Sequence, residues 1–161
     1  MSIHSAEQLV LDFLPQSSVV LEISPSQLTS DAGLLPMRWF DEKIGLTAQF
    51  VAALTDRRRD PEHTVLEMVR VRIFGLLADY EDQNDHDALR FDPVFKLVAG
   101  RLPEDEPLAS QPTHSRFENA IDIASLNRLR DVLIDQFLDA FPTPPLRLTF
   151  HIGTYDDLDA A

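Results

Sequence analysis

Apolar residues recur along this chain at helical spacings more often than at strand spacings. From Thr64 to Tyr80 they form a wide stripe, and the pattern predicts a largely buried helix over this range. A second long helix is predicted from Ala124 to Phe141, where apolar residues lie three and four positions apart. Asp122 or Ser125 can cap its start. The two segments predict a mainly α fold.

Three shorter helices are also predicted. Asp41 is predicted as the N-cap of a helix that runs through about residue 54. Pro93 suits the first position of a short helix, and Gly100 suits its end. A further short helical segment is predicted over Leu108–Phe117. The chain therefore contains four or five helices in this interpretation.

Two stretches favour strands over helices. SVVLEIS at 18–24 is rich in β-branched residues, and LRLTFHI at 146–152 alternates apolar and other residues. Loops are predicted at 31–36 and 82–87, where glycine, proline and short polar residues gather. A short strand near each end of a helical chain needs partners for its backbone groups.

Composition limits the class of protein. The 161 residues are 44% hydrophobic, enough for one domain with a core. Cysteine is absent, which fits a reducing compartment and excludes disulfides and thiolate chemistry. The first residues lack a basic segment before an apolar one, and no apolar run approaches the length of a membrane span. We therefore expect a soluble, cytoplasmic protein without a membrane partner.

The net charge of the whole chain is unfavourable for nucleic-acid binding. Net charge is -13, whereas binding to phosphate is driven mainly by lysine and arginine. The imbalance is uneven, because residues 31–60 carry five acids and five bases. Any contact with DNA is therefore expected to be local.

The stretch ASQPTHSRFENAI at 109–121 is a candidate for such a contact. It begins a short helix after a predicted helix at 93–99, and it resembles the second helix of a helix-turn-helix. The side chains that would face DNA are Gln111, Thr113, Ser115 and Arg116. The alternative is that this segment only caps a helix, since the acidic loop at 103–107 would repel phosphate.

Two charged runs allow a functional and a structural interpretation. Arg57, Arg58 and Arg59 could contact backbone phosphates, although a solvated helix end that complements the helix dipole is the favoured interpretation. The acidic run EDQNDHD at 81–87 could hold a metal ion, but such residues are common in turns for backbone reasons. We favour a turn there and predict no metal site.

Four stretches together resemble the N-terminal region of DDE-type transposases of bacterial insertion sequences. They are LTSDAGLLPMRWFDEKIGLT at 28–47, EMVRVRIFGLLADYEDQNDHDALRFDPVFK at 67–96, ASQPTHSRFENAI at 109–121 and LRLTFHIGTYDD at 146–157. Their order and spacing are also similar to that family. The resemblance implies a helical DNA-binding or dimerisation domain over 1–145, and the first strand of an RNase H-like catalytic sheet over 146–161.

The resemblance also implies a chemistry. Such transposases transfer phosphoryl groups with divalent metals, Mg²⁺ or Mn²⁺, held by three carboxylates, and the first strand looks like Asp-x-Asp-x-x-Asp-Asp. Here His151 and Gly153 stand at the two leading positions. Because Mg²⁺ prefers oxygen ligands, we expect a catalytically inactive fragment, truncated at the start of the catalytic domain and without a cofactor of its own.

Two functional hypotheses follow. In the first, the chain is a transposase-derived fragment that binds DNA, such as the terminal inverted repeats of an element. In the second, it is an interaction module that pairs with itself or with a full-length transposase. A relic without retained function is compatible with the same residues.

Overall fold

The computed structural model describes residues 9–14, 17–21, 29–143 and 145–149. Within these ranges the chain is mainly helical, with one antiparallel hairpin at its start. The elements are β1 Leu9–Leu14, β2 Ser17–Leu21, α1 Leu34–Ile44, α2 Leu46–Ala53, α3 Val65–Leu77, α4 His86–Leu89, α5 Pro93–Ala99, α6 Gln111–Asn119 and α7 Ile123–Asp139. A single 3₁₀ turn, Gln83–Asp85, precedes α4. Among the described helices, none has the length and apolar character that crossing a bilayer requires.

The helices predicted over 64–80, 93–100 and 124–141 are confirmed as α3, α5 and α7. Thr64 caps α3 by accepting a hydrogen bond from the backbone N–H of Glu67, at 3.1 Å. Asp122 caps α7 in the same way through the N–H of Ser125. α5 starts at Pro93. Its C-cap has the left-handed conformation, with φ of 97°, that a glycine adopts without strain.

The predicted start of the helix over about 41–54 is wrong. Asp41 is not an N-cap, because it lies inside α1, and the predicted loop at 31–36 already contains the first turn of that helix. Leu34 and Leu35 are buried in the core, and Pro36 is tolerated in a first helical turn. Burial of this leucine pair therefore outweighs the loop-like composition around it.

Gly45 separates α1 from α2 with a φ of 69°. The carboxylate of Asp41 accepts hydrogen bonds from the backbone N–H of Thr47 at 2.9 Å and from its hydroxyl at 2.5 Å. This buried carboxylate therefore caps α2 from within the preceding helix.

β2 overlaps the strand predicted over 18–24. It pairs antiparallel with β1, with Leu9 opposite Leu21. Of the strand predicted over 146–152, residues 146–149 are not in a strand, and the remainder lies outside the described residues. That these stretches belong to a larger RNase H-like sheet stays a prediction.

The core lies where α1, α3 and α5 meet. Its largest buried side chains include Phe74, Phe95 and Leu108, and the ring of Tyr80 packs edge-on against Phe95 at 5.9 Å between centroids. Arg38 is buried beside this core. Its Nε donates a hydrogen bond to the carbonyl of Val98 at 3.0 Å. The guanidinium thus ties α1 to α5.

α7 packs on α2 through a narrow face. Arg128 donates a hydrogen bond from Nε to the carbonyl of Ala53 at 2.8 Å, and Gln136 donates from Nε2 to the carbonyl of Ile44 at 2.9 Å. The apolar side chains that predicted this helix lie largely outside that contact. Leu133, for example, is 54% exposed.

Candidate functional site

A cleft of about 370 Å³ lies between the segment that follows α2, helix α6 and the start of α7. Its apolar wall consists of Leu54, Val65, Phe117, Ala120 and Ile121. Arg57, Arg58 and Arg116 also line it, and we call it the arginine cleft. Two groups of site residues predicted from distant parts of the sequence thus meet at one surface.

Packing beneath α6 fixes the position of that helix. The backbone N–H of Gln111 donates a hydrogen bond to Oδ1 of Asp87 at 3.2 Å. On the same side, Arg72 of α3 forms an ion pair with Glu118 at 3.1 Å, and Gln83 also hydrogen-bonds to Glu118. The segment from the 3₁₀ turn to α4 is therefore the support on which α6 rests.

Two histidines form the centre of this contact. The rings of His86 in α4 and His114 in α6 are stacked, with centroids 4.4 Å apart and an angle of 15° between the planes. Both side chains are fully buried, and their four ring nitrogens have no hydrogen-bond partner within the described part of the chain. Burial, with smaller contributions from neighbouring groups such as Arg72, lowers the pKa of His114 to about 3. Burial also lowers the pKa of His86. The pair is therefore neutral near pH 7.

Arg58 forms part of the wall of the cleft. Its guanidinium makes a two-point contact with the carboxylate of Asp56, at 2.8 and 3.0 Å, and lies 5.3 Å from the ring centroid of Phe117. The hydrogen bond from Arg58 lowers the pKa of the Asp56 carboxyl. Arg58 is thus held in place and its charge is already paired.

Arg57 and Arg116 are more accessible. Arg57 is 79% exposed and makes one contact, at 3.2 Å, with Asp122. Arg116 is exposed, and its described partner is the hydroxyl of Thr113 at 3.3 Å. An exposed ion pair such as that of Arg57 contributes little to stability, and the partner of Arg116 is an uncharged hydroxyl. These two cations are therefore available to an anionic ligand.

The other predicted site residues take different positions. Arg59 is exposed but does not line the cleft, so the run of three arginines is divided among rim, wall and outer surface. Gln111 lies at the start of α6 and does not line the cleft. Ser115 does not line the cleft either, and its hydroxyl accepts a hydrogen bond from Asn119. Thr113 lines the cleft.

The predicted helix-turn-helix does not have the expected connection. Residues 100–110 join α5 to α6, whereas the motif joins its helices by about three or four residues. The short connection lies instead between α6 and α7, at residues 120–122. The sequence analysis paired the segment at 109–121 with the helix before it, at 93–99, and did not consider the helix that follows it.

Candidate metal ligands do not come together in the described ranges. The acidic run at 81–87 forms the 3₁₀ turn and the start of α4, where Asp82 accepts hydrogen bonds from Asn84. In residues 29–143 and 145–149 no three acidic or histidine side chains are grouped as metal ligands would be. His151 and Gly153 lie outside the described residues.

One comparison with known proteins gives a match. A family model described as "Transposase DDE domain group 1" matches residues 12–159. The matched region includes every residue that lines the arginine cleft. No curated protein and no solved structure matches the chain.

Proposed function

Because the chain belongs to the family of transposase DDE domains of group 1, we propose that it is a transposase-derived module that binds DNA through the arginine cleft. The observation that carries the proposal is the meeting of Arg57 and Arg116 on one cleft, although they come from separate segments. Transposases act on DNA, and arginine is well suited to phosphate contact because its planar guanidinium can donate two hydrogen bonds at once.

The local charge around the cleft supports this function despite the net charge of -13. Asp56, the acid in the lining of the cleft, is paired with Arg58. If a DNA phosphate takes the place of Asp122 beside Arg57, the guanidinium remains paired. Asp122 still caps α7 through its hydrogen bond from Ser125. Binding is therefore local, driven by charge and sensitive to salt.

The same proposal includes catalytic inactivity. The resemblance places carboxylates at two positions that here carry the imidazole of His151 and no side chain at Gly153. An imidazole suits transition metals better than Mg²⁺, and glycine offers no side-chain ligand, so these residues do not fit the metal pair of the family. Strand cleavage or strand transfer by the purified chain with Mg²⁺ or Mn²⁺ would overturn this part of the proposal.

Fluorescence anisotropy tests the DNA-binding function. The DNA is a duplex that carries the terminal inverted repeat of a related element, titrated across a salt series. We expect Arg57→Ala and Arg116→Ala each to weaken binding and to reduce the salt slope by about one. Arg130→Ala is the matched control, because Arg130 is exposed on α7, pairs with Asp131 and does not line the cleft. No binding at low salt, or equal loss in the control, contradicts the proposal.

A second candidate function is that of an interaction module. The observation that favours it is an exposed apolar surface on α7 and the residues just after it, where Leu133, Phe137 and Phe141 are 54%, 43% and 39% exposed. The rings of Phe137 and Phe141 pack on each other at 5.0 Å between centroids. Exposed apolar patches of this kind mark protein contacts, and the partner would be a second copy or an intact transposase.

A further inference from the structure

We propose that the arginine cleft receives one unstacked nucleotide of the bound DNA. In this arrangement the base lies against the apolar wall, and its phosphate lies between Arg57 and Arg116. The inference rests on the proposed function and deepens it, because contact with backbone phosphates alone would require no cavity. It names which part of the DNA the cleft recognises.

The composition of the wall carries the first step. The lining of the cleft contains aliphatic side chains, among them Leu54, Val65 and Ile121. It also contains three arginines against one carboxylate, that of Asp56. A ligand that fits must combine an apolar face with an anion. Nucleotides have this combination, since a base offers a flat surface that stacks well and the phosphate beside it carries the charge.

The size of the cleft carries the second step. At about 370 Å³ it lies near the lower end of the volumes of ligand pockets, roughly 300–1,000 Å³. A paired and stacked base cannot enter such a space while it remains in the duplex. The nucleotide must therefore be extrahelical, at a strand end or at an unpaired position.

Planar groups in the wall of the cleft offer surfaces on which a base can stack. The guanidinium of Arg58 is held by its two-point contact with Asp56, so the orientation of its plane is fixed in advance. Phe117 lies beside it in the same wall. Bases stack on both guanidinium and aromatic planes, without strong preference for one base. The cleft is therefore expected to select an unpaired nucleotide more than a sequence.

The test compares two DNA probes with the full chain. One is a blunt duplex, and the other is the same duplex with a single unpaired nucleotide at one end, where 2-aminopurine reports stacking. We expect the second probe to bind about tenfold more tightly to the native protein. Ala120→Phe, which fills the cleft and leaves the arginines in place, is expected to remove this preference and to retain binding to the blunt duplex.

Ala140→Phe is the matched control, because Ala140 is also an exposed alanine at a helix C-cap but lies outside the cleft lining. It should keep the tenfold preference, and thermal unfolding of both variants checks that they fold. Equal affinity of the native protein for both probes overturns the inference and leaves the proposed function in place. So does a preference that survives in Ala120→Phe. Absence of binding to either probe overturns both proposals.

Discussion

His86 and His114 stack on each other in the interior, 4.4 Å apart, without a described hydrogen-bond partner for any ring nitrogen. The contact joins α4 to α6, and α6 carries Thr113 and Arg116 of the arginine cleft. Since both rings are neutral when folded, protonation of either would place an unpaired cation in a dry contact. The geometry of the cleft thus depends on two uncharged imidazoles.

Acid is therefore expected to destabilise the protein. The pKa of His114 is about 3 in the folded chain against 6.5 as its ordinary value, so the unfolded state binds more protons between these values. Stability is fully present above pH 6.5 and falls as the pH decreases toward 3. At pH 5 the loss from this residue is about 2 kcal/mol. Urea unfolding at pH 7.5 and pH 5 measures it.

His114→Phe is the companion variant for this measurement. It retains a planar ring in the stack and removes the titrating group, so its free energy of unfolding should depend less on pH over the same interval. A native protein whose unfolding free energy is unchanged from pH 7.5 to pH 5 contradicts the prediction. So does a variant with the same pH dependence as the native protein.

Gly45 is expected to be intolerant of a side chain. At φ of 69° an alanine is strained, although its Cβ would meet nothing closer than Gln49 at 3.7 Å. Gly45→Ala should therefore lower the free energy of unfolding by about 1–2 kcal/mol through the backbone alone. Gly33→Ala is the control, because Gly33 has an ordinary helical conformation and open space around it. Equal effects of the two substitutions would show the explanation to be wrong.

Removal of the Asp41 carboxylate should be costly. Asp41→Ala takes away both hydrogen bonds to Thr47 and the ion pair, at 3.5 Å, with buried Arg38. Arg38 retains its ion pair with Glu42, so the cost comes mainly from the two buried Thr47 donors that lose their acceptor, and the expected decrease in unfolding free energy is about 3 kcal/mol. Asp131→Ala removes an exposed carboxylate and should change stability by less than about 1 kcal/mol. Chemical denaturation of both variants provides the comparison.

Self-association through α7 would be sensitive to charge on its exposed face. Phe137→Glu is expected to convert a dimer into a monomer in sedimentation velocity, because it places a carboxylate in an apolar contact. Leu77→Glu changes an apolar side chain on α3 that is 61% exposed, and it should leave the mass unchanged. A native protein that is monomeric at all concentrations argues against pairing with itself and leaves pairing with an intact transposase to be tested by co-purification.

Much of the helical fold follows from local signals. Helix starts are marked by residues that deal with the unpaired N–H groups of the first turn. The side chains of Thr64 and Asp122 accept hydrogen bonds from such groups, and Pro93 has no N–H to satisfy. The break at Gly45 did not follow, because the apolar period continues across it from Ile44 to Leu46 and beyond. What decides the break is the capping of α2 by Asp41, a contact that no periodicity reveals.

The candidate site was predictable in its parts but not as a whole. The sequence predicted three of the cleft arginines as separate charged positions: Arg57, Arg58 and Arg116. That they line one cleft depends on the packing of α6 and α7 onto the segment after α2. The histidine pair gave no signal, since His86 lies in a polar run and His114 in a polar helix. Burial of such residues is decided by tertiary contact and not by local sequence.

The arginine cleft also makes the charge distribution of the molecule asymmetric. Two exposed guanidinium groups, Arg57 and Arg116, line one cleft of a chain whose net charge of -13 repels a polyanion overall. In the proposed complex with DNA, this distribution of charge is expected to turn the cleft toward the double helix as the protein approaches. Approach with any other face toward the DNA is expected to be unfavourable, most strongly at low salt.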